Sequence, residues 1–142
     1  SKEGGWLNNR SAIHFERYAK KCAMEFSDYV ENISTINEPQ VYALMSYVNG
    51  TWPPNKKNIF YSLLVQINFL RAHKKAYKAI KKIKNIPVGI VKDFTINESD
   101  KFYSITVSLF TDFHNLNHVY FLKNSFIDEF NTLESKNKEN EK

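Results

Sequence analysis

The 142-residue sequence predicts an α/β fold that is rich in helix and contains about two parallel strands. Two observations support this class: long segments have apolar residues at helical spacing, and two short runs rich in β-branched residues lie between them, at residues 30–36 and 88–91. Helix, strand, helix and strand in that order are typical of βαβ units, in which consecutive strands are parallel.

The first predicted helix follows a loop anchored by Trp6. Asn8 or Asn9 can cap a helix that runs to about Phe26. Its apolar positions share one face, which we expect to be buried: Phe15, Tyr18, Ala19, Cys22, Ala23 and Phe26.

The first predicted strand runs from Val30 to Ile36 and stops before Pro39, because proline has no amide proton for a sheet ladder. Asn37 and Glu38 stand just beyond it. An amide and a carboxylic acid held side by side at a strand end suit acid–base chemistry. Alternatively, the two residues cap a helix that begins near Gln40.

The middle of the chain predicts two helices, a loop and the second strand. Helical spacing covers residues 40–48, and an irregular loop with Gly50, Trp52 and two prolines follows. The longest predicted helix covers residues 58–84, with an apolar side that consists of Phe60, Leu63, Leu64, Ile67 and Leu70. Pro87 then leads into the apolar run Val88-Gly89-Ile90-Val91, typical of a buried parallel strand.

The last third of the sequence gives a mixed pattern. Residues 100–130 favour a helix by apolar spacing, although Ile105-Thr106-Val107 favours a strand by propensity. His114 and His118 are four residues apart, but no third ligand stands nearby, so we expect no metal site. Residues 1–130 are therefore predicted to form the folded part, and 131–142 a disordered charged tail.

Charge and composition bear on partners and location. The net charge is +5 with a pI near 9.2, which suggests nucleic acid. The lysines nevertheless concentrate on a helix between Lys74 and Lys84, beside a buried stripe, as a solvated face would. The single cysteine, Cys22, allows no internal disulfide and is interpreted as a small core residue. With no signal peptide or long apolar run, we expect a cytoplasmic protein with no membrane, nucleic-acid or cofactor partner.

An ordered set of motifs carries a resemblance to a known family. It consists of Gly4-Gly5-Trp6-Leu7-Asn8, His14-Phe15-x-x-Tyr18-Ala19-x-x-Cys22, Thr35-x-Asn37-Glu38-Pro39, Ala72-His73 and the strand at 87–91. This set resembles glycoside hydrolase family 1, the retaining β-glucosidases and β-galactosidases. It corresponds to the middle of their (β/α)8 TIM barrel, from Gly4 to about Ile96 and more faintly to Phe130.

The resemblance implies roles for individual residues. Glu38 would be the general acid/base for hydrolysis of a β-glycoside, and Asn37 would bind the sugar's 2-hydroxyl. The loop that carries Trp52 would lie near the mouth of the site, so Trp52 either stacks on a sugar ring or packs under its own loop. His73 would support structure and not chemistry.

Length limits what this chain can do alone. A complete barrel needs about 250 residues, so only a partial barrel fits here. No segment resembles the one that supplies the family's nucleophile, and Asp93 and Glu98 are the only carboxylates at the neighbouring strand end. We therefore expect the chain alone to be inactive, with missing barrel segments supplied in trans or with self-association. The alternative is a non-catalytic remnant that binds sugars weakly or has only a structural role.

Overall fold

The computed structural model describes residues 3–92, which contain three α-helices and two strands. Helix α1 (Ser11–Phe26) follows a 3-10 turn at Gly5–Leu7; next come strand β1 (Ile33–Asn37), helices α2 (Pro39–Tyr47) and α3 (Ile59–Lys81), and strand β2 (Val88–Val91). The two strands pair in parallel, which confirms the predicted topology. β1 begins three residues later than predicted. The predictions for residues 93–142, including Asp93, Glu98, His114, His118 and the charged tail, lie outside the described residues.

Helix α3 is the element on which the others pack. Asn58 starts it, with its side-chain oxygen accepting hydrogen bonds from the backbone amides of Phe60 and Tyr61 at 2.9 and 3.2 Å. Its carboxyl half contributes to a first core cluster of Ala19, Ala23, Ala76, Ile80 and Val88. Its amino half contributes to a second, of Ala43, Tyr47, Val65 and Phe69. One helix thus joins α1 and the sheet to α2.

The predicted apolar face of α1 is partly wrong. The buried residues are the alanines Ala12, Ala19 and Ala23, while Tyr18 is 66% exposed, Phe26 is also exposed and Cys22 is half-buried. Small side chains allow two helix axes to approach closely. Because α3 presents alanines to this contact as well, α1 buries its alanines and leaves large rings outside.

The apolar side predicted for α3 is also largely wrong. Of its five residues only Leu70 is buried, and Phe60 is 74% exposed. The buried side includes the polar residues Asn68 and His73, which a search for apolar periodicity passes over. Each has a hydrogen-bond partner, so burial does not leave it unsatisfied.

Trp6 anchors the amino-terminal loop, as its position suggested. Its ring lies 4.4 Å from that of Phe69 and 5.9 Å from that of Phe15, measured between centroids. The fully buried Asn68 donates a hydrogen bond from Nδ2 to the Trp6 carbonyl at 2.8 Å. The loop is therefore attached to α3 by both aromatic packing and a polar contact.

One lysine of α3 and one that follows the helix pair with acids on or near α1. Lys75 Nζ is 3.4 Å from Glu16 Oε2, and Lys84 Nζ is 2.9 Å from Asp28 Oδ1.

Among residues 3–92, no helix is both long and apolar enough to cross a membrane. The same residues hold no group of three or more His, Cys, Asp or Glu side chains arranged to bind a metal ion.

The buried phenol of Tyr47 predicts a specific response to alkaline pH. Burial, followed by the neighbouring Tyr42, raises the pKa of Tyr47 from 10.0 to about 12. The neutral phenol is thus favoured in the folded state, and its contribution to stability, complete below pH 10, is lost as the pH rises through 12. We expect Tyr47→Phe to reduce the pH dependence of unfolding free energy in this range. Urea denaturation at several pH values measures this dependence, and Tyr29→Phe at an exposed position is the control. If the free energy of unfolding changes equally with pH in the wild type and in Tyr47→Phe, the prediction is wrong.

Candidate active site

A β-bulge interrupts β1 just before the predicted site residues. Ile33 pairs with Val88 and Ser34 with Gly89, but the next pair is Asn37 with Val91. Two residues of β1 therefore lie opposite one of β2. Bulges are rare in parallel pairs, and they re-aim side chains near active sites.

The bulge decides which side of the sheet Asn37 faces. Thr35 contacts His73 of α3, and Ile36 packs on the second core cluster, so two consecutive residues face the helices. Ser34 and Asn37, on either side of them, are exposed. In a regular strand Asn37 would share the face of Thr35. The extra residue instead places Asn37 on the face away from α3.

Glu38 holds an unusual backbone conformation at the end of β1. Its φ of 46° and ψ of 55° lie in the left-handed region, which is costly for a residue with a Cβ atom. Its amide donates to the Val91 carbonyl at 2.8 Å, and its carbonyl accepts from the Tyr42 amide at 3.1 Å. Strained residues of this kind cluster at functional sites and cost about 1–3 kcal/mol.

The structure contradicts the alternative that the Glu38 side chain caps α2. Glu38 occupies the position before the first residue of α2, Pro39, but its side chain makes no capping hydrogen bond. Asn37 belongs to β1 and is exposed. The half-buried Glu38 carboxyl therefore stands at the carboxyl edge of a parallel sheet with no capping role.

Gln40 adds an unsatisfied polar group close to Glu38. Both its Oε1 and its Nε2 are buried, and neither has a hydrogen-bond partner in the part of the chain that the structure describes. Leaving a buried amide unpaired costs about 1–3 kcal/mol per group. Such a group requires an explanation, and a partner from outside residues 3–92 is the simplest.

The remaining candidates, Trp52 and His73, lie on other elements than Asn37 and Glu38. Trp52 is 44% exposed and joins neither core cluster. Its amide donates to the Met45 carbonyl at 3.2 Å, six residues into α2 and so roughly 9 Å along the helix axis from Pro39. His73 is 3% exposed and bonded to Thr35, in agreement with a structural role.

His14 has a different setting from His73. It is exposed, lies 3.9 Å from the Glu3 carboxylate, and lines an apolar surface cavity of about 300 Å³ together with Trp6, Phe15 and Tyr18. Asn37, Glu38 and Trp52 do not line that cavity.

Sequence reasoning missed two residues near the site, Thr35 and Gln40. A hydroxyl in a strand and a histidine in the helix that covers it are natural partners, but β1 also contains Ser34, so the sequence does not single out Thr35. The local pattern held no corresponding signal for Gln40, since a glutamine in the first turn of a helix is ordinarily solvated.

The fold and the sequence together define the class of protein. The model of glycosyl hydrolase family 1 matches residues 1–139, and the chain belongs to this family. A β-galactosidase of Saccharolobus solfataricus is 36% identical over 61% of this chain and 18% of its own length. β-Glucosidase A of Thermotoga maritima is 34% identical over 63% of this chain and 20% of its own length. The chain therefore spans about a fifth of these relatives.

Solved structures agree with this assignment. A β-glycosidase from Thermosphaera aggregans superposes with a TM-score of 0.74 at 28% identity, covering 84% of this chain and 24% of the other. A β-glycosidase from Pyrococcus horikoshii gives 0.72 at 35% identity, covering 86% and 28%. The fold is thus a segment of a (β/α)8 barrel, rich in helix, with two parallel strands.

The backbone conformation of Glu38 predicts that glycine would make the fold more stable here, although it would remove the side chain that the candidate site uses. Glycine adopts the left-handed region without the cost that a Cβ atom adds. We expect Glu38→Gly to be more stable than Glu38→Gln by about 0.5–1 kcal/mol, after the greater flexibility of glycine in the unfolded chain is subtracted. Urea denaturation of the two variants measures the difference.

Glu31 offers a matched control for that comparison. It is exposed, precedes β1 and is not among the residues of positive φ. Glu31→Gly should therefore be less stable than Glu31→Gln. If glycine is destabilising at both positions, the strain at Glu38 is not present in solution.

Proposed function

We propose that this chain supplies the acid/base part of a retaining β-glycosidase site. The observation that carries the proposal is the end of β1, where a bulge and a left-handed residue present Asn37 and Glu38 at the carboxyl edge of a parallel sheet. That edge is where (β/α)8 barrels carry out chemistry. Family membership supports a β-glycoside as the substrate.

In the proposed mechanism Glu38 acts twice. It first donates a proton to the glycosidic oxygen as the leaving group departs, while a second carboxylate attacks the anomeric carbon. It then removes a proton from the water that hydrolyses the glycosyl intermediate. Asn37, on the same edge, would hold the 2-hydroxyl, a hydrogen bond that strengthens in the transition state.

The second carboxylate has to come from outside the described residues. Retaining hydrolysis needs two carboxyl groups about 5–5.5 Å apart. Among residues 3–92, Glu38 is the carboxylate that follows a strand at this edge. Asp28, by contrast, lies on the amino-terminal side of β1 and is paired with Lys84. Because no segment of the sequence resembles the one that supplies the family's nucleophile, we propose that another segment provides this carboxylate and that the chain alone does not turn over glycosides.

Missing barrel segments are the partner that best fits the exposed surface. Large apolar side chains are exposed on α1 and α3, namely Tyr18, Phe26, Phe60, Leu64 and Ile67. The two-stranded sheet of the described residues is not closed as a barrel sheet is. The unpaired amide of Gln40 points to the same need. We propose that segments supplied in trans cover these groups and contribute the nucleophile.

The competing function is a sugar-binding or structural remnant without catalysis. The lack of a second carboxylate at the described strand ends favours it. The two functions differ in one result, because a remnant would bind a β-glycoside after reassembly but would not hydrolyse it.

Complementation tests the proposed catalysis. The chain is mixed with the remaining segments of a family 1 relative, and hydrolysis of an activated aryl β-glucoside and of an alkyl β-glucoside is followed. We expect no turnover by the chain alone and turnover after reassembly. Glu38→Gln should slow the alkyl substrate by about 10²-fold or more, because a poor leaving group depends on the general acid.

Glu31→Gln is the control for that substitution, since it removes a carboxylate before β1 and should leave the rates unchanged. Reassembled enzyme that hydrolyses the alkyl glucoside at the same rate with Glu38→Gln would reject Glu38 as the acid. Hydrolysis by the chain alone, abolished by Glu38→Gln, would show that this chain also holds a nucleophile.

The two-stranded sheet of residues 3–92 predicts association of the isolated chain. Unpaired strand edges and exposed apolar side chains favour contacts between copies. We expect sedimentation velocity to show a mass that increases with concentration, and addition of the missing segments to suppress this increase. A strict monomer with a sharp two-state melt would indicate an independently stable domain instead.

A further inference from the structure

The hydroxyl of Thr35 bridges two elements at the bulge. Thr35 Oγ1 is 2.7 Å from His73 Nδ1 and 3.1 Å from the carbonyl oxygen of Gly89. A hydroxyl has one proton to donate, and a carbonyl oxygen can only accept. Both contacts are hydrogen bonds only if Thr35 donates to Gly89 and accepts from an Nδ1–H group of His73. The two contacts together are satisfied when His73 carries a proton on Nδ1.

These contacts join β1, α3 and β2 where the backbone ladder is weakest. Thr35 is one of the two bulge residues, and a bulge leaves part of the ladder unpaired. The side chain of Thr35 supplies a bond to β2 at that position. His73, at 3% exposure, supplies a second bond from a site with little access to water.

We propose that Thr35 and His73 are positioning residues that hold the bulge in place and thereby orient Asn37 and Glu38. A shift of one residue in strand register turns every following side chain to the other face. Without the two hydrogen bonds, Thr35 can take the regular position opposite Ile90, which places Ile36 instead of Asn37 opposite Val91. Asn37 would then turn toward α3, and the Glu38 amide would leave the Val91 carbonyl, its acceptor at 2.8 Å.

The catalytic role of Thr35 and His73 rests on the proposed function, but their effect on the bulge is tested without an activity measurement. Nuclear magnetic resonance of the ¹⁵N-labelled full chain reports the amides of Asn37 and Glu38 and the ring nitrogens of His73. We expect Nδ1 of His73 to be the protonated ring nitrogen. We also expect slow hydrogen exchange at the Glu38 amide, because that amide is hydrogen-bonded within the sheet.

Two substitutions of Thr35 separate positioning from general stability. Thr35→Val keeps the shape and removes the hydroxyl, and Thr35→Ser keeps the hydroxyl. Thr35→Val should shift the Asn37 and Glu38 amides and speed exchange at Glu38 by at least tenfold, while core amides such as those of Ala23 and Ile80 change little. Thr35→Ser should restore the wild-type values. The exposed neighbour gives the control, Ser34→Ala, which should have no effect.

A second pair of variants covers the case in which Thr35→Val does not fold. His73→Asn places an amide donor near the former Nδ1 position, whereas His73→Gln moves the donor one bond further out. We expect wild-type Glu38 exchange in the first variant and faster exchange in the second. In the reassembled enzyme, Thr35→Val should lower kcat about 10–10²-fold and Thr35→Ser should restore it, since small misplacements are costly.

The outcomes distinguish this proposal from the proposed function. Unchanged Asn37 and Glu38 signals in Thr35→Val, no restoration by Thr35→Ser, or a His73 protonated only on Nε2 would each overturn the positioning role. An inactive reassembled enzyme with the expected resonance changes would instead reject the proposed catalysis and leave the positioning of Asn37 and Glu38 intact.

Discussion

The pairing of β1 with β2 beneath α3 is the constraint on which the rest of the described structure depends. Ile33 and Val88 fix the first half of the register, because both are packed against the first core cluster. Ile36 fixes the second half through the other cluster. Over this stretch β1 has one residue more than β2, and the bulge accommodates it. The direction of Asn37 thus follows from packing at both ends of β1, at Ile33 four residues before it and at Ile36 next to it.

The same packing accounts for the strained residue. β2 ends opposite Asn37, so the Val91 carbonyl accepts the Glu38 amide, and α2 begins at once with Pro39. The chain must turn from strand to helix within one residue. Glu38 takes the left-handed conformation that this turn requires, although a residue before proline ordinarily prefers an extended one. A residue chosen for stability here would be glycine, which suggests that the carboxyl group is retained for another reason.

Sequence patterns predicted the elements well but their buried faces poorly. The strands and helices have strong local signals, such as the β-branched run at residues 88–91 and the proline after Glu38. Which side of α1 is buried depends instead on its partner: alanines on α3 make the alanines of α1 the better fit, and Tyr18 is left exposed. The bulge had no local signal either, because it is a difference in residue count between two strands that lie 50 residues apart in sequence. Glu38 and Asn37 were found through their motif, whereas Thr35 acquires its role only through contact with His73.

The stereochemistry of azide rescue tests most directly whether Glu38 is the acid/base, as proposed, and not the nucleophile. Glu38→Ala is placed in the reassembled enzyme and given an activated aryl β-glucoside with sodium azide. With the nucleophile intact, azide attacks the glycosyl intermediate from the side that the missing carboxyl group has vacated, and we expect a β-glucosyl azide to form at an increased rate. An α-glucosyl azide would mean that Glu38 had been the nucleophile, and the absence of any azide product or acceleration would mean that Glu38 takes no part in the reaction.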